Sequence, residues 1–193
     1  MKRSGKDTVA DYLVARHAFK KVEIARPLKD VLRIMFDFTD EQLDGDCKEV
    51  ELPRYGPGVT PRRIMQHFGT EMMQSDICKV APDLGRSIWV DKSIRTTRSH
   101  VDQGHDVVIS DMRFLHEADA LSAAFDGMFN IIKVRREEAE QTADTHASEA
   151  EWMSIQQDFE VYNRTNLFDL YKDVEAIMQT PPCACRASCS CSL

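Results

Sequence analysis

Two short runs of uninterrupted apolar residues, in "DVVIS" and "FNIIKV", constrain the fold more than anything else in this chain. A strand with one wet face alternates apolar and polar residues, whereas a strand buried on both faces reads as a continuous apolar run. Each run ends in charge, at Asp111 after the first and at Arg135 and Arg136 after the second. Between them "HEADALSAAF" predicts a helix, and Asp126 with Gly127 a turn. "KKVEIA" and "DFEVYN" predict two further short strands. Strands alternating with helices imply an α/β sandwich built on a mainly parallel sheet.

The helical segments carry their own signals. Leu28, Val31, Leu32, Met35 and Phe36 follow Pro27 at the spacing of one helix face and are expected as core. Thr39 and Gln42 have the spacing of a capping box, so a short helix starts there, ahead of the loop "ELPRYGPGV". After Thr60 and Pro61 a helix carries "RRIMQHFGTEMM", with Gly69 open to two readings, a helix break or a close backbone approach. A helix from about Leu84 to Gln103 puts Val90, Ile94, Thr97 and Val101 on one face and stops at Gly104. Leu167, Leu170, Tyr171, Val174, Ile177 and Met178 form the apolar stripe of a closing helix.

The chain opens "MKRSGKDT", the second half of a phosphate-binding loop of the form GxxxxGK[ST]. Gly5 and Lys6 supply the Gly-Lys pair, Asp7 stands where Ser or Thr is usual, and Thr8 follows. Such a loop presents backbone N–H groups and a helix N-terminus to phosphate oxygens, while the lysine reaches the terminal phosphates. As a bare pattern, a solvated turn accounts for these residues equally well.

Composition narrows the classes. A chain of 193 residues that is 42% hydrophobic is sized for one domain, expected at residues 1–180. A formal net charge of −7 argues against a surface for polymeric nucleic acid, so local basic residues serve a small anion. Neither a run of about 18 apolar residues nor a leader-like apolar start is seen, giving the expectation of a cytoplasmic protein without a membrane partner. Cys47 and Cys78 stand alone, and four further cysteines crowd into "PPCACRASCSCSL". That pattern fits a reducing compartment and a disordered tail over residues 181–193 better than a disulfide framework or a soft-metal site.

Ligands of open parallel sheets bind beyond the C-terminal ends of the strands. Three polar groups fall there: the turn from Gly5 to Thr8, Asp111 with Arg113, and Arg135 with Arg136. Lys6 can bridge terminal phosphates, Asp111 can hold Mg²⁺, and the arginines can neutralise charge on a transferring phosphoryl group. Singly, these residues read as caps and surface ion pairs; their shared location favours the site. Arg62 and Arg63 follow an N-cap, where a cation opposes the helix dipole unless an anion binds. "HFGTE" offers Gly69, Thr70 and Glu71 for close approach and polar recognition. The wholly polar segment "RREEAEQTADTHASEAE" reads as a lid over about residues 136–151, in which His146 and Glu149 are a lid contact rather than metal ligands.

Taken together, "KRSGKDT", "ARPLKDVL", "FTDEQLDGDCKE", "TPRRIMQHFGTE", "VVISDMRFLHEADAL" and "DTHASE" resemble the deoxynucleoside monophosphate kinases of phage and large-DNA-virus type. The resemblance implies a P-loop NTPase three-layer sandwich with an adenylate-kinase-like, five-stranded parallel sheet. It implies ATP as phosphoryl donor and Mg²⁺ as cofactor, small-molecule nucleotides as the partners, and leaves a homodimer open. Residue by residue, it makes Arg3, Ser4, Gly5, Lys6, Asp7 and Thr8 the ATP phosphate site, with Asp7, Thr8 and Asp111 toward the metal. Arg62, Gln66, Gly69 and Thr70 match the acceptor motif, Asp111 and Arg113 the strand-end motif, and His146 with Glu149 the lid motif. Lys6, Asp111, Arg113 and Arg135 become the catalytic set. Arg26 departs from the acidic residue common in "ADPLK"-like segments, which bears on acceptor contacts; phosphomevalonate kinases share the loop, so a different phosphorylated acceptor is one alternative, and the incomplete loop makes a nucleotide-binding protein impaired in catalysis another. The first loop glycine and the strand before it are absent, and the expectation is a missing first central strand, lying between "DVVIS" and "FNIIKV".

Overall fold

The computed structural model describes residues 4–136, 154–164 and 166–180. They divide into two compact units, one formed by the chain up to Val22 and from Thr96 onward, the other by Glu23–Arg95.

The first unit holds every strand found among the described residues. Helix α1 (Lys6–His17) leads into β1 (Lys20–Val22), which pairs in parallel with β2 (Val107–Ile109), Val22 opposite Ile109. Helix α6 (Leu115–Ala124) then precedes β3 (Ile132–Arg135), which pairs in parallel with β4 (Phe159–Tyr162), Val134 opposite Val161. The closing helix is α7 (Leu167–Met178). The parallel pairing is as expected, although Val107, Val108 and Ile109 of β2 are half-buried where their apolar run predicts full burial. The continuous sheet implied by the resemblance is not what is found: the described strands form two separate two-stranded sheets. Val107–Ser110 on one side and Ile131–Val134 on the other line a single cavity of about 710 Å³, together with Val9, Leu13, Leu121 and Phe125 from the helices.

Val9 and Leu13 of α1 pack with Val161 of β4 and with Leu170 and Val174 of α7, all of them buried. Tyr12 stacks on Tyr171 at 4.1 Å between ring centres and donates its hydroxyl to Glu175 at 2.6 Å. The stripe expected on the closing helix is therefore the one that packs, although Leu167 at its first turn is exposed.

The second unit contains α2 (Arg26–Phe36), α3 (Asp40–Leu43), α4 (Pro61–Gln66) and the first part of α5 (Ile88–Val101), and the division falls within α5. The capping box at α3 is as its spacing predicts, with Gln42 N–H donating to Thr39 Oγ1 at 3.3 Å and Thr39 N–H to Gln42 Oε1 at 3.0 Å. On α2 the expected apolar stripe narrows to Leu28 and Leu32. Met35 is 60% exposed because it lies on the final turn, where Asp37 takes a left-handed φ of 53° and ends the helix. Lys29, on the buried side of α2, is held by Glu23 at 3.0 Å and Asp44 at 2.7 Å, the pairing a buried ammonium requires.

The structure decides one helix reading and shifts one helix boundary. Gly69 does not break its helix; the chain winds as a π-helix over His67–Ser75. A Cβ on Gly69 would lie 2.8 Å from Leu28 Cδ2, and its carbonyl accepts from Trp89 Nε1 at 2.9 Å. The glycine thus permits close packing of two helices. Residues Pro82–Ser87 form a 3-10 helix, so α5 starts at Ile88 and not at Leu84.

Candidate active site

Gly5 forms the N-cap of α1 with φ +104°, a conformation that favours glycine, and the first helical bond runs from Val9 N–H to Gly5 C=O at 3.0 Å. The amides of the first turn have no partner within the helix and point out of its end, where the helix dipole is positive. Ser4, just before it, is 3% exposed. Gly5, Lys6, Asp7 and Thr8 line a cavity of about 460 Å³ together with Arg136, Asn163, Asn166 and Leu167. All of these belong to the first unit.

The end of β2 comes to the same place. Ser110 Oγ donates to Asp7 Oδ1 at 2.9 Å, linking residues 103 positions apart. Lys6 Nζ reaches Asp7 Oδ2 at 2.9 Å, and Lys21 Nζ lies 3.8 Å from Oδ1. Partial burial works to raise the Asp7 carboxyl, but the hydrogen bond and charge of Lys6, the Ser110 hydroxyl and the charge of Lys21 outweigh it and hold its pKa below the ordinary value. An ionised carboxylate beside the Ser110 hydroxyl, with Thr8 lining the same cavity as Asp7, is a hard-oxygen donor set of the kind that suits Mg²⁺, which takes one or two carboxylates and completes its shell with water and phosphate. Asp111 is the next residue along from Ser110. Among the described residues no group of three or more His, Cys, Asp or Glu side chains is poised to hold an ion.

Arg113 lines the 710 Å³ cavity with Lys6 and Ser110. Beyond it, Glu117 at the start of α6 accepts from the amides of Arg113 at 2.8 Å and Phe114 at 3.1 Å. Burial pushes the Glu117 carboxyl up to about 7, with repulsion from Asp111 adding to it, against those two bonds. The strand-end turn is therefore pinned by a buried acid four residues on. Arg135 is engaged by Glu160 on the neighbouring strand, while Arg136, one residue further, lines the phosphate-loop cavity.

Arg62, Gln66, Gly69 and Thr70 lie in the second unit, on α4 and the π-helix that continues it. The sequence offers no structural reason for Arg62 at a helix start, and the fold supplies one: its Nε donates to Glu49 Oε1. Arg63 donates to Gly58 C=O at 2.7 Å. Gly69 is filled against Leu28, so its role in the fold is packing. Arg3, His146 and Glu149, and most of the segment read as a lid, lie outside the described residues, as does the cysteine-rich tail.

Asn163 and Asn166 are the site residues that sequence reasoning missed. For Asn163 the signal was present in "DFEVYN", whose last residue closes a strand on its C-terminal side, where ligands of parallel sheets sit.

Comparison with known proteins covers most of the chain. The deoxynucleotide monophosphate kinase family matches residues 1–54 and 58–174. The chain belongs to that family. It is 32% identical over 182 residues, 90% of each chain, to a protein of Acanthamoeba polyphaga mimivirus assigned as a deoxynucleotide monophosphate kinase. As a member of the family, the chain carries the loop of Gly5–Thr8 and the arginines of α4 inside the matched segments. No described helix is long and apolar enough to cross a membrane.

Proposed function

We propose that this chain transfers the γ-phosphoryl group of ATP to the phosphate of a deoxynucleoside monophosphate, yielding ADP and a deoxynucleoside diphosphate. The observation that carries the reading is the 2.9 Å bond from Ser110 to Asp7, which ties the phosphate loop to the polar end of β2. Membership of the deoxynucleotide monophosphate kinase family supports the same reaction class.

In this reading the amides at the start of α1 and the Lys6 ammonium hold the donor's β- and γ-phosphates. An acceptor phosphate oxygen attacks the γ-phosphorus in line as the bond to the bridging oxygen breaks. Arg113, Arg135 and Arg136 neutralise the charge spread over the transferring group. Asp7, Thr8 and Asp111 would hold Mg²⁺, which supplies counter-charge to the donor phosphates. Arg62, Gln66 and Thr70 bind the acceptor, with Arg62 exchanging Glu49 for its phosphate, and His146 and Glu149 belong to the lid that excludes water. The finer architecture of the proposal is a P-loop sandwich. A cytoplasmic setting is part of it, supported by the free thiols of Cys47 and Cys78.

The test is direct. The chain is incubated with ATP, Mg²⁺ and, separately, each deoxynucleoside monophosphate, the ribonucleotides and phosphomevalonate, and the diphosphate products are separated and quantified. Deoxynucleoside diphosphate is expected with ATP consumed in equal amount. Product from phosphomevalonate alone, or ATP binding with no transfer to any acceptor, would overturn the reading.

A further inference from the structure

Asn163 stands where the sheet meets the phosphate loop. Its main-chain N–H donates to Arg135 C=O at 2.8 Å, which extends the β3–β4 ladder by one residue and fixes the position of its Cα. Its side chain turns to the loop, and Nδ2 donates to Ser4 C=O at 3.0 Å. The two partners are 159 residues apart in the chain. Ser4 is buried, so a carbonyl left without this donor has little water to turn to.

The consequence lies in the geometry of the peptide unit. In a planar trans peptide the C=O and the following N–H point in opposite directions, so holding Ser4 C=O on Asn163 also fixes the direction of Gly5 N–H. Gly5, at φ +104°, then sets the direction of the next amide at the start of α1. A Cβ on Gly5 would lie 2.5 Å from Asn163 Nδ2, so the carboxamide fills the space that the absent side chain leaves. Affinity of a helix N-terminus for an anion depends on where these amides point. Asn163 also lines the cavity with Gly5–Thr8, Arg136 and Asn166.

We propose that Asn163 is a positioning residue that locks the Ser4–Gly5 peptide plane and thereby sets the affinity of the loop for the donor nucleotide's phosphates. The inference rests on the reading of Gly5–Thr8 as the ATP phosphate site. Asn163 touches the loop and acts on the donor through it.

Full-length Asn163→Ala and Asn163→Asp are compared with the unaltered chain in steady-state kinetics, in calorimetric titration with ATP and Mg²⁺, and in thermal melting. Both variants are expected to weaken ATP binding and raise its KM about tenfold, the equivalent of one hydrogen bond. The KM for the deoxynucleoside monophosphate stays near its original value, and the melting temperature falls by only a few degrees as one buried carbonyl loses its donor. Asn163→Asp has the same shape, cannot donate when ionised and brings negative charge to the phosphates, so it is expected to be the worse of the two. Lys6→Ala is run alongside. Loss of function in Lys6→Ala with unchanged ATP affinity in both Asn163 variants would overturn the proposal and leave the loop reading intact. Near-normal ATP binding and turnover in Lys6→Ala would overturn the loop reading, and the proposal with it. An equal rise in both KM values with a larger drop in melting temperature would make Asn163 a support of the fold and overturn the proposal as well.

Discussion

The Gly5–Thr8 loop and the helix start at Arg62, proposed as the donor and acceptor sites, are held in opposite ways. Around Gly5–Thr8 the fixing contacts come from far along the chain, with Ser110 on Asp7 and Asn163 on Ser4. Around Arg62 they come from near neighbours: Glu49 on Arg62, Gly58 on Arg63 and Glu71 on His67 at 2.5 Å. A loop fixed by remote elements can hold its amides in one arrangement before any ligand arrives, which is what phosphate binding at a helix end requires. A segment whose charges are paired locally, with Glu49 and Glu71 more than half exposed, can exchange those partners for a ligand at little cost, since such ion pairs contribute about 0 to 1 kcal/mol.

The sharpest way to break this comparison is Lys6→Ala. Turnover is expected to fall on the order of 10²–10³-fold, in the range found when one preorganised charge-stabilising group is removed. The melting temperature is expected to stay nearly constant, because the side chain's partner Asp7 retains Ser110. A large loss of stability with modest loss of turnover would mean that the lysine serves the fold.

Glu117 tests whether a locally bonded group becomes costly once buried. Its folded pKa of about 7 lies above the ordinary 4.5, so the folded chain binds the proton more tightly than the unfolded one. The protonated form's extra stability is fully present below pH 4.5 and is lost as pH rises from there through about 7. The whole slope amounts to about 3 kcal/mol. Urea unfolding across that interval should show a decline in the original chain and a flatter profile in Glu117→Gln. Parallel profiles would show that the Glu117 carboxyl titrates as an exposed acid does.

The mildest effect is expected from Arg62→Ala. Loss of one charged contact should raise the KM for the monophosphate on the order of tenfold, while that for ATP changes little. Its stability should move by less than about 1 kcal/mol, since the ion pair with Glu49 is partly exposed. Equal changes in both KM values would break the assignment of the two regions to two substrates.

Several elements of the fold and the site are legible in the order of the residues. The continuous apolar runs form β2 and β3, the Thr39–Gln42 spacing forms a capping box, and the Gly-Lys pair starts α1. These features depend on periodicity, side-chain chemistry and neighbours within a few residues, all of which a sequence states outright. The π-helix through Gly69 is not legible in that way. What decides it is the packing of Leu28 and the Trp89 bond to its carbonyl, from segments 41 and 20 positions away. Met35 departs from its expected burial for a related reason, because a helix pattern does not announce that its last turn lies outside the core.

The sequence by itself determined the α/β class, the start of α1 at the Gly5–Lys6 pair and the presence there of residue types able to handle phosphate. It did so because backbone geometry and burial are written in local pattern. Only the tertiary structure decided that Ser110 holds Asp7, that Asn163 holds Ser4, that Arg136 lines the phosphate cavity while Arg135 is engaged by Glu160, and that Arg62 has an anion of its own. Each of these is a meeting of residues from different elements, and a hydrogen bond between remote residues leaves no periodic trace in the order of the chain.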